Sequence, residues 1–365
     1  MLAHGRHDAI LRELELRGTL QAARFAERIG VSSMTLRRDL DELERQGLLV
    51  RVHGGAVSLA VAAQRDPAQA SSRAPRRPVA TIGMITPSAS YYYPEVIRGA
   101  RDAARELHCR LVLGTTNYSE REELRQAERL IAGGVDALMI TPSRVRIEGT
   151  RLHEVLTEAP LPVVVVERAV EERTGGRVES VRTDHAYGAE LAVRRLAELG
   201  HERIALAARE TPTSPWLIDG YTRATSRADG PDDALRAVLP TPLTGDDSSV
   251  EALGVFLESL LANGATAAIV LTDVDAVSLV DLAADRGIRV PEDLSIIAYD
   301  DEIAGLGRVP LTAVAPPKYD LGHTALRMCM DRLRHSSDAP RAVTRTAMLP
   351  RLTERDSTVP PRDVR

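Results

Sequence analysis

VSSMTLRRDLDELERQGLLVRVHGGAV, residues 31–57, is the stretch on which the fold turns. Ser32 is a good helix N-cap, Leu36, Leu40 and Leu43 recur at i, i+4 and i+7, and Gly47 ends the helix. LLVRV and AVSLA then read as two short strands around the turn His53-Gly54-Gly55. Upstream, Ile10, Leu11 and Leu14 form one helical stripe that stops near Gly18, and Ala22, Phe25, Ala26 and Ile29 form a second that stops at Gly30. Three helices and a hairpin predict a small α+β winged helix-turn-helix domain over residues 1–57.

In such a unit the second helix of the pair enters the major groove, with its N-terminal residues at the base edges. That places Ser32, Ser33, Thr35, Arg37 and Arg38 toward DNA, with Leu36, Leu40 and Leu43 in the core. Arginine suits bidentate contact with guanine, and Ser and Thr reach bases or phosphates. Arg51 and His53 on the hairpin are candidates for the backbone or minor groove. The competing reading pairs Arg37 and Arg38 with Asp41 and Glu42, four residues on.

Residues 58–78 are rich in Ala, Ser, Pro, Gln and Arg without an apolar period, which marks a linker. Beyond it, apolar runs at 81–85, 110–114, 136–140, 162–166, 203–208, 267–271 and 294–299 alternate with amphipathic stretches. Strands apolar on both faces, separated by helices, predict parallel α/β sheets with covered faces, here in two lobes. The chain has 365 residues, 27% charged and 44% hydrophobic, which argues against disorder. Residues 1–80 carry 13 Arg against 9 Asp and Glu, +4, so the remainder of a chain of net charge −5 is −9. A mildly basic head on an acidic body fits a head that meets a polyanion. No run of 18 apolar residues exists, so no membrane span is expected. The N-terminus lacks an apolar h-region, so a cytoplasmic location is expected. Cys109 and Cys329 are too few for a disulfide framework or a four-cysteine zinc site.

Residues 6–57, with VS-x-x-T-x-RRDL followed by R-x-HGGA, resemble the N-terminal domain of DeoR-type bacterial repressors. That likeness implies sequence-specific binding of an inverted-repeat operator by a homodimer. DeoR-type chains usually continue into a sugar-phosphate sensor, and this one departs from them. From residue 79 it resembles the sensor of LacI/GalR-type regulators, itself similar to periplasmic sugar-binding proteins. TIGMITPS, GGVDALMITPS, GHERIAL and G-x-x-VPEDLSIIAYDD carry that likeness, over almost all of 79–356. The DNA-inserting hinge helix of LacI-type proteins is not evident in the linker. The resemblance implies interwoven lobes, an N-lobe of about 79–183 and 315–339 and a C-lobe of about 184–313 and 340–358, with crossings near 183, 314 and 340.

It also implies a small effector, a carbohydrate, held between the lobes at the C-terminal ends of the strands. Only eleven aromatics are present, yet Tyr91, Tyr92 and Tyr93 are consecutive. Tyr92 and Tyr93 match ligand-contacting positions of the family, Ser88 lies on the same loop, and Tyr93 is alternatively helix-start core. Asp273 matches the family's ligand-binding acid and Arg168 a cleft position, with pairing to Glu167 or Asp184 as its alternative. Thr213 and Trp216 fall on a ligand-contacting loop, and Trp216 stands open between cleft and core. Asp275 reads as structural or solvated, and Asp300 and Asp301 as support for site or hinge. Many members carry Arg where this chain has Leu217, three residues before Gly220-Tyr221, which argues against a strongly anionic ligand. No HExxH, CxxC, GxSxG or Walker motif occurs, so no enzyme, cofactor, metal or catalytic residue is expected. The expected function is a ligand-responsive transcription regulator, a repressor released by a sugar; a co-repressing ligand and activation remain open.

Overall fold

The computed structural model describes residues 6–7, 9–11, 13–14, 19–45, 47–52, 54–58, 78–170, 178–225, 235–240, 248–334 and 342–362. The chain divides into two compact units, 1–77 and 78–365.

In the first unit, β1 (Thr19–Gln21) leads into α1 (Ala22–Ile29), then α2 (Ser33–Arg45), β2 (Val50–Val52) and β3 (Gly55–Val57). Phe25, Leu36, Leu40, Leu43, Leu49 and Ala56 close on Ile10, Leu14 and Leu20 in one core. α1 ends because Gly30 takes φ +69°, and the Val31 amide donates back to the Ala26 carbonyl at 3.0 Å. The wing is a three-stranded antiparallel sheet in the order β1-β3-β2, one strand more than the hairpin read from sequence. Gly55 makes the extra pairing possible. A Cβ there would stand 1.8 Å from the Leu20 carbonyl oxygen, so only glycine admits β1 so closely.

The second unit holds two six-stranded sheets. The N-lobe sheet runs β14-β8-β7-β6-β4-β5, all parallel, from β4 (Thr81–Thr86), β5 (Arg110–Thr115), β6 (Ala137–Ile140), β7 (Val163–Val166), β8 (Glu179–Thr183) and β14 (Arg345–Met348). The C-lobe sheet runs β10-β9-β11-β12-β13-β15. It comprises β9 (Ile204–Arg209), β10 (Arg236–Leu239), β11 (Ala267–Leu271), β12 (Ser295–Tyr299), β13 (Thr312–Ala315) and an antiparallel edge, β15 (Arg351–Thr353). Helices α3 (Tyr93–Glu106), α4 (Glu120–Ala132), α5 (Arg151–Glu158) and α10 (Lys318–Arg334) cover the first sheet. Helices α6 (His185–Glu198), α7 (Ser214–Thr225), α8 (Ser248–Ala262) and α9 (Asp273–Asp285) cover the second. Each sheet therefore buries two apolar faces, which is why inner strands such as β7 and β11 read as unbroken apolar runs. Among the described residues no helix is long and apolar enough to cross a membrane.

The lobes are interwoven, but not with the third crossing expected at 340. Residues 345–348 pair in parallel with Ser180–Thr183 of the N-lobe, and only from Arg351 does the chain join the C-lobe beside β13. The crossings therefore lie between β8 and α6, between β13 and α10, and at 349–350. β14 is a half-exposed edge strand, so its sequence carries no apolar signal of the sheet it joins. α10 returns across the hinge to lie on α3. A Cβ at Gly99 would stand 1.9 Å from the Tyr319 carbonyl oxygen, and one at Gly322 1.8 Å from that of Val96, so the two backbones touch.

Candidate DNA-reading face and candidate cleft

α2 starts where the sequence places it. The Thr35 amide donates to Ser32 Oγ at 3.1 Å, and the two hydroxyls lie 2.8 Å apart, so both are occupied by the helix start. Arg37 and Arg38 are exposed. Their competing pairing does not form: Asp41 binds Arg51, Glu42 binds Arg45, and among the described residues neither Arg37 nor Arg38 is in an ion pair. Arg51 departs from expectation. Its guanidinium is tied to Asp41 and to the Arg37 carbonyl at 3.4 Å, and its amide donates to Glu44 at 2.9 Å, so it braces the wing against α2. His53 lies outside the described residues. Sequence reasoning missed Asp39, buried on the core side of α2, where Arg6 donates to it at 2.7 and 3.0 Å and His7 Nε2 lies at 3.2 Å. The Arg6 hydrogen bond holds this carboxyl below its usual range. An acid on the stripe of Leu36, Leu40 and Leu43 was the available signal.

In the second unit, residues just beyond the C-terminal ends of strands in both sheets touch one another. Tyr91, after β4, donates its hydroxyl to Asp273 Oδ1 at 2.5 Å, after β11, and lies 3.2 Å from Asp300 Oδ2, after β12. The strand ends of the two lobes thus face each other across a cleft, which Tyr91 spans. Tyr91 and Asp300 hold left-handed backbones, φ +55° and +93°, uncommon outside glycine. Burial pushes the Asp300 carboxyl up, Lys318 opposes this, Asp273 adds to it, and the result is about 7.

Asp273, the expected ligand-binding acid, has both carboxylate oxygens engaged by the protein. It is 0% exposed, and its Oδ2 accepts the amides of Glu302, Ile303 and Ala304 at 2.6, 2.6 and 3.1 Å. It anchors the loop after Asp300. Asp275 is structural, capping α9 and pairing with the buried Arg209. Asp301 is also structural, held by Arg355 at 2.7 Å and Thr353 at 2.9 Å.

Of the two tyrosines matched to ligand-contacting positions, Tyr93 is 5% exposed and packs edge-on to Tyr92 at 5.5 Å, which fits its alternative reading as helix-start core. Tyr92 donates to Glu167 and has Lys318 Nζ 5.2 Å from its ring centre. Glu167 belongs to a buried network at the hinge: Thr183 donates to it through its hydroxyl at 2.7 Å and its amide at 3.0 Å, and His185 Nε2 lies at 3.4 Å. His185 Nδ1 is 3.1 Å from the Tyr299 hydroxyl in the C-lobe. Burial pushes the Glu167 carboxyl up, but the bonds from His185, Thr183 and Tyr92 outweigh it and bring it to about 2. Lys318, the chain's one lysine, donates to Glu302 and to the Asp300 carbonyl.

Arg168 is buried and spends its guanidinium on the carbonyls of Pro142 at 2.8 Å and Glu167 at 2.7 Å, not on a carboxylate. Ser88 is turned into its own loop, 2.8 Å from Ser90 Oγ. The Thr213 carbonyl accepts the amides of Trp216 and Leu217 at 3.2 Å, starting α7. Trp216 is half-buried, and its ring lies 5.0 Å under the Arg182 guanidinium of β8, a further contact between lobes. Tyr118, after β5, was also missed: it is 57% exposed, with Tyr93 and Arg168 acting on its hydroxyl.

A winged helix-turn-helix head followed by two sheets facing across a hinged cleft defines a ligand-responsive DNA-binding regulator. Comparison with known proteins agrees. Residues 6–61 match the DeoR-like helix-turn-helix domain, and residues 193–358 the periplasmic binding protein-like domain. Catabolite control protein A of Priestia megaterium is 30% identical over 256 residues, 68% of this chain and 73% of its own. The arabinose metabolism transcriptional repressor of Geobacillus stearothermophilus is 26% identical over 320 residues, 86% of this chain and 84% of its own. A LacI family regulator from Enterococcus faecium with bound ribose superposes with a TM-score of 0.62 at 26% identity, over 77% of this chain and 99% of that one. The chain belongs to the LacI family of transcriptional regulators, with a DeoR-like head.

Proposed function

We propose that the protein is a cytoplasmic repressor that binds an inverted-repeat operator as a homodimer and is released by a neutral sugar held between its lobes. The observation that carries this is Tyr91, which joins the N-lobe to Asp273 and Asp300 of the C-lobe. A hydroxylated ligand that replaces or extends this bridge binds one hinge angle better than another, and so shifts the lobes. The half-buried Trp216 and the exposed Tyr118 offer rings to sugar C–H faces, and Leu217 replaces a cation that would favour an anion. The ribose of the Enterococcus relative and the arabinose in the Geobacillus repressor's name support the class. The reading is one of binding, not turnover. The relatives that support it are transcription regulators, and Asp273 and Asp275 are engaged by backbone amides and by Arg209.

The test is a thermal-shift screen of neutral sugars, followed by titration of the stabilising sugar into the protein–operator complex. Coupling of about 1–3 kcal/mol, roughly 5–150-fold in operator affinity, is expected. Operator affinity unchanged at saturating sugar overturns the reading.

A further inference from the structure

The outward face of α2 is not made of arginine alone. The helix buries Leu36, Asp39, Leu40 and Leu43. At roughly 100° per residue, the direction opposite that stripe passes through Met34, with Arg38 one turn further along and Arg37 beside it. Met34 is 61% exposed, in the first turn of the helix, whereas the leucines of α2 are buried to within 1%. Nothing in the described head covers it. The Ser32 and Thr35 hydroxyls, its polar neighbours, are taken by the helix cap.

The first turn of a recognition helix is the part that meets base edges. The apolar feature of the standard base pairs in the major groove is the thymine C5-methyl. A methionine there has an unbranched, polarizable side chain that adapts its rotamer to a methyl group. We propose that Met34 is a specificity-determining residue that reads a thymine methyl in each half-site, beside the bases that Arg37 and Arg38 contact. This rests on the reading of the head as operator-binding.

The experiment uses the full chain. Operator half-sites are selected from random duplexes, and each selected thymine is then replaced by deoxyuridine, which lacks only the methyl. At one thymine per half-site the replacement lowers wild-type affinity about fourfold, the worth of one buried methyl group. Met34→Ala binds the thymine duplex about fourfold or more weakly per half-site and does not distinguish thymine from deoxyuridine at that position. Met34→Leu keeps the distinction. Half-sites selected without thymine overturn the proposal, as does a Met34→Ala protein with the wild-type deoxyuridine response at every position. If wild type selects no common sequence, the operator-binding reading fails with it, before any variant is made.

Discussion

Glu167 and Asp300 are both buried carboxylates, yet their surroundings push them in opposite directions. Asp300 keeps its proton up to about pH 7 in the folded state, against about 3.8 when unfolded. The folded state therefore binds more protons between those values, and Asp300 costs stability as pH rises through them. The stability of wild type relative to Asp300→Asn is expected to fall from about pH 4 to about pH 7 and then level, measured by urea midpoints. Glu167 is lowered to about 2 from 4.5, so its contribution is complete above about 4.5 and is lost as pH falls toward 2. The advantage of wild type over Glu167→Gln should shrink on acidification; a flat difference in either series would refute the corresponding assignment. The arginines of the head divide in the same residue-by-residue way. Arg37→Ala and Arg38→Ala should each weaken operator binding by about 1–3 kcal/mol per half-site with an unchanged melt, if they contact bases. Arg51→Ala should instead lower the melting temperature of the head, since it releases Asp41 and the Arg37 carbonyl. Wild-type operator affinity in both Arg37→Ala and Arg38→Ala would remove α2 from the groove.

At the level of elements, the closest joint is between α3 and α10. An added methyl at Gly99 or Gly322 meets backbone, which cannot yield as a side chain can. Gly99→Ala and Gly322→Ala are each expected to cost about 3 kcal/mol or more, at or beyond the upper end of ordinary overpacking, read by denaturant unfolding of residues 78–365. A cost below about 1 kcal/mol in both would mean that the helices stand further apart. The elements also show what was legible in the sequence. Runs such as VVVV of β7 and AAIVL of β11 were readable because they are buried on both faces. β1, β10, β14 and β15 were not read, and all four are edges of their sheets, short and partly exposed, so their residues need not be apolar. β13 was not read either, although it is buried and lies inside its sheet, because its four residues TAVA are too short and small to stand out as an apolar run. β8 was missed because it carries Glu179, whose charge is matched by Arg332 from α10, a partner 153 residues away. The cleft followed the same division. Its position after the strand ends was legible from the pattern, but which tyrosine crosses it was not. Three adjacent tyrosines look alike in sequence, and the left-handed backbone at Tyr91 that turns it away from Tyr92 and Tyr93 arises only in the folded loop.

For the whole molecule, the division at 77/78 makes each unit testable alone. Residues 78–365 are expected to fold without the head, with one cooperative melt and an unchanged response to sugar. An insoluble fragment would show that the sensor needs the head. Operator binding by the proposed dimer, with roughly 6–10 phosphate contacts, should fall about 10³–10⁵-fold between 50 and 200 mM salt. A salt-independent affinity would contradict phosphate contact. The three crossings between lobes also set an order of events during synthesis. The head is complete once its residues have emerged, and domains generally fold as units as they appear. The N-lobe, whose first strand begins at Thr81, waits for α10 and for β14 at Arg345–Met348, and the C-lobe waits for β15 at Arg351–Thr353. Neither lobe has an early half-life of its own: a nascent chain stalled anywhere before about residue 345 presents a finished DNA-binding head on two unfinished lobes. Premature termination late in the message is therefore expected to leave a folded head without a complete sensor, a chain deaf to the effector, which limited proteolysis of the truncated protein would show as a resistant head and a degraded remainder.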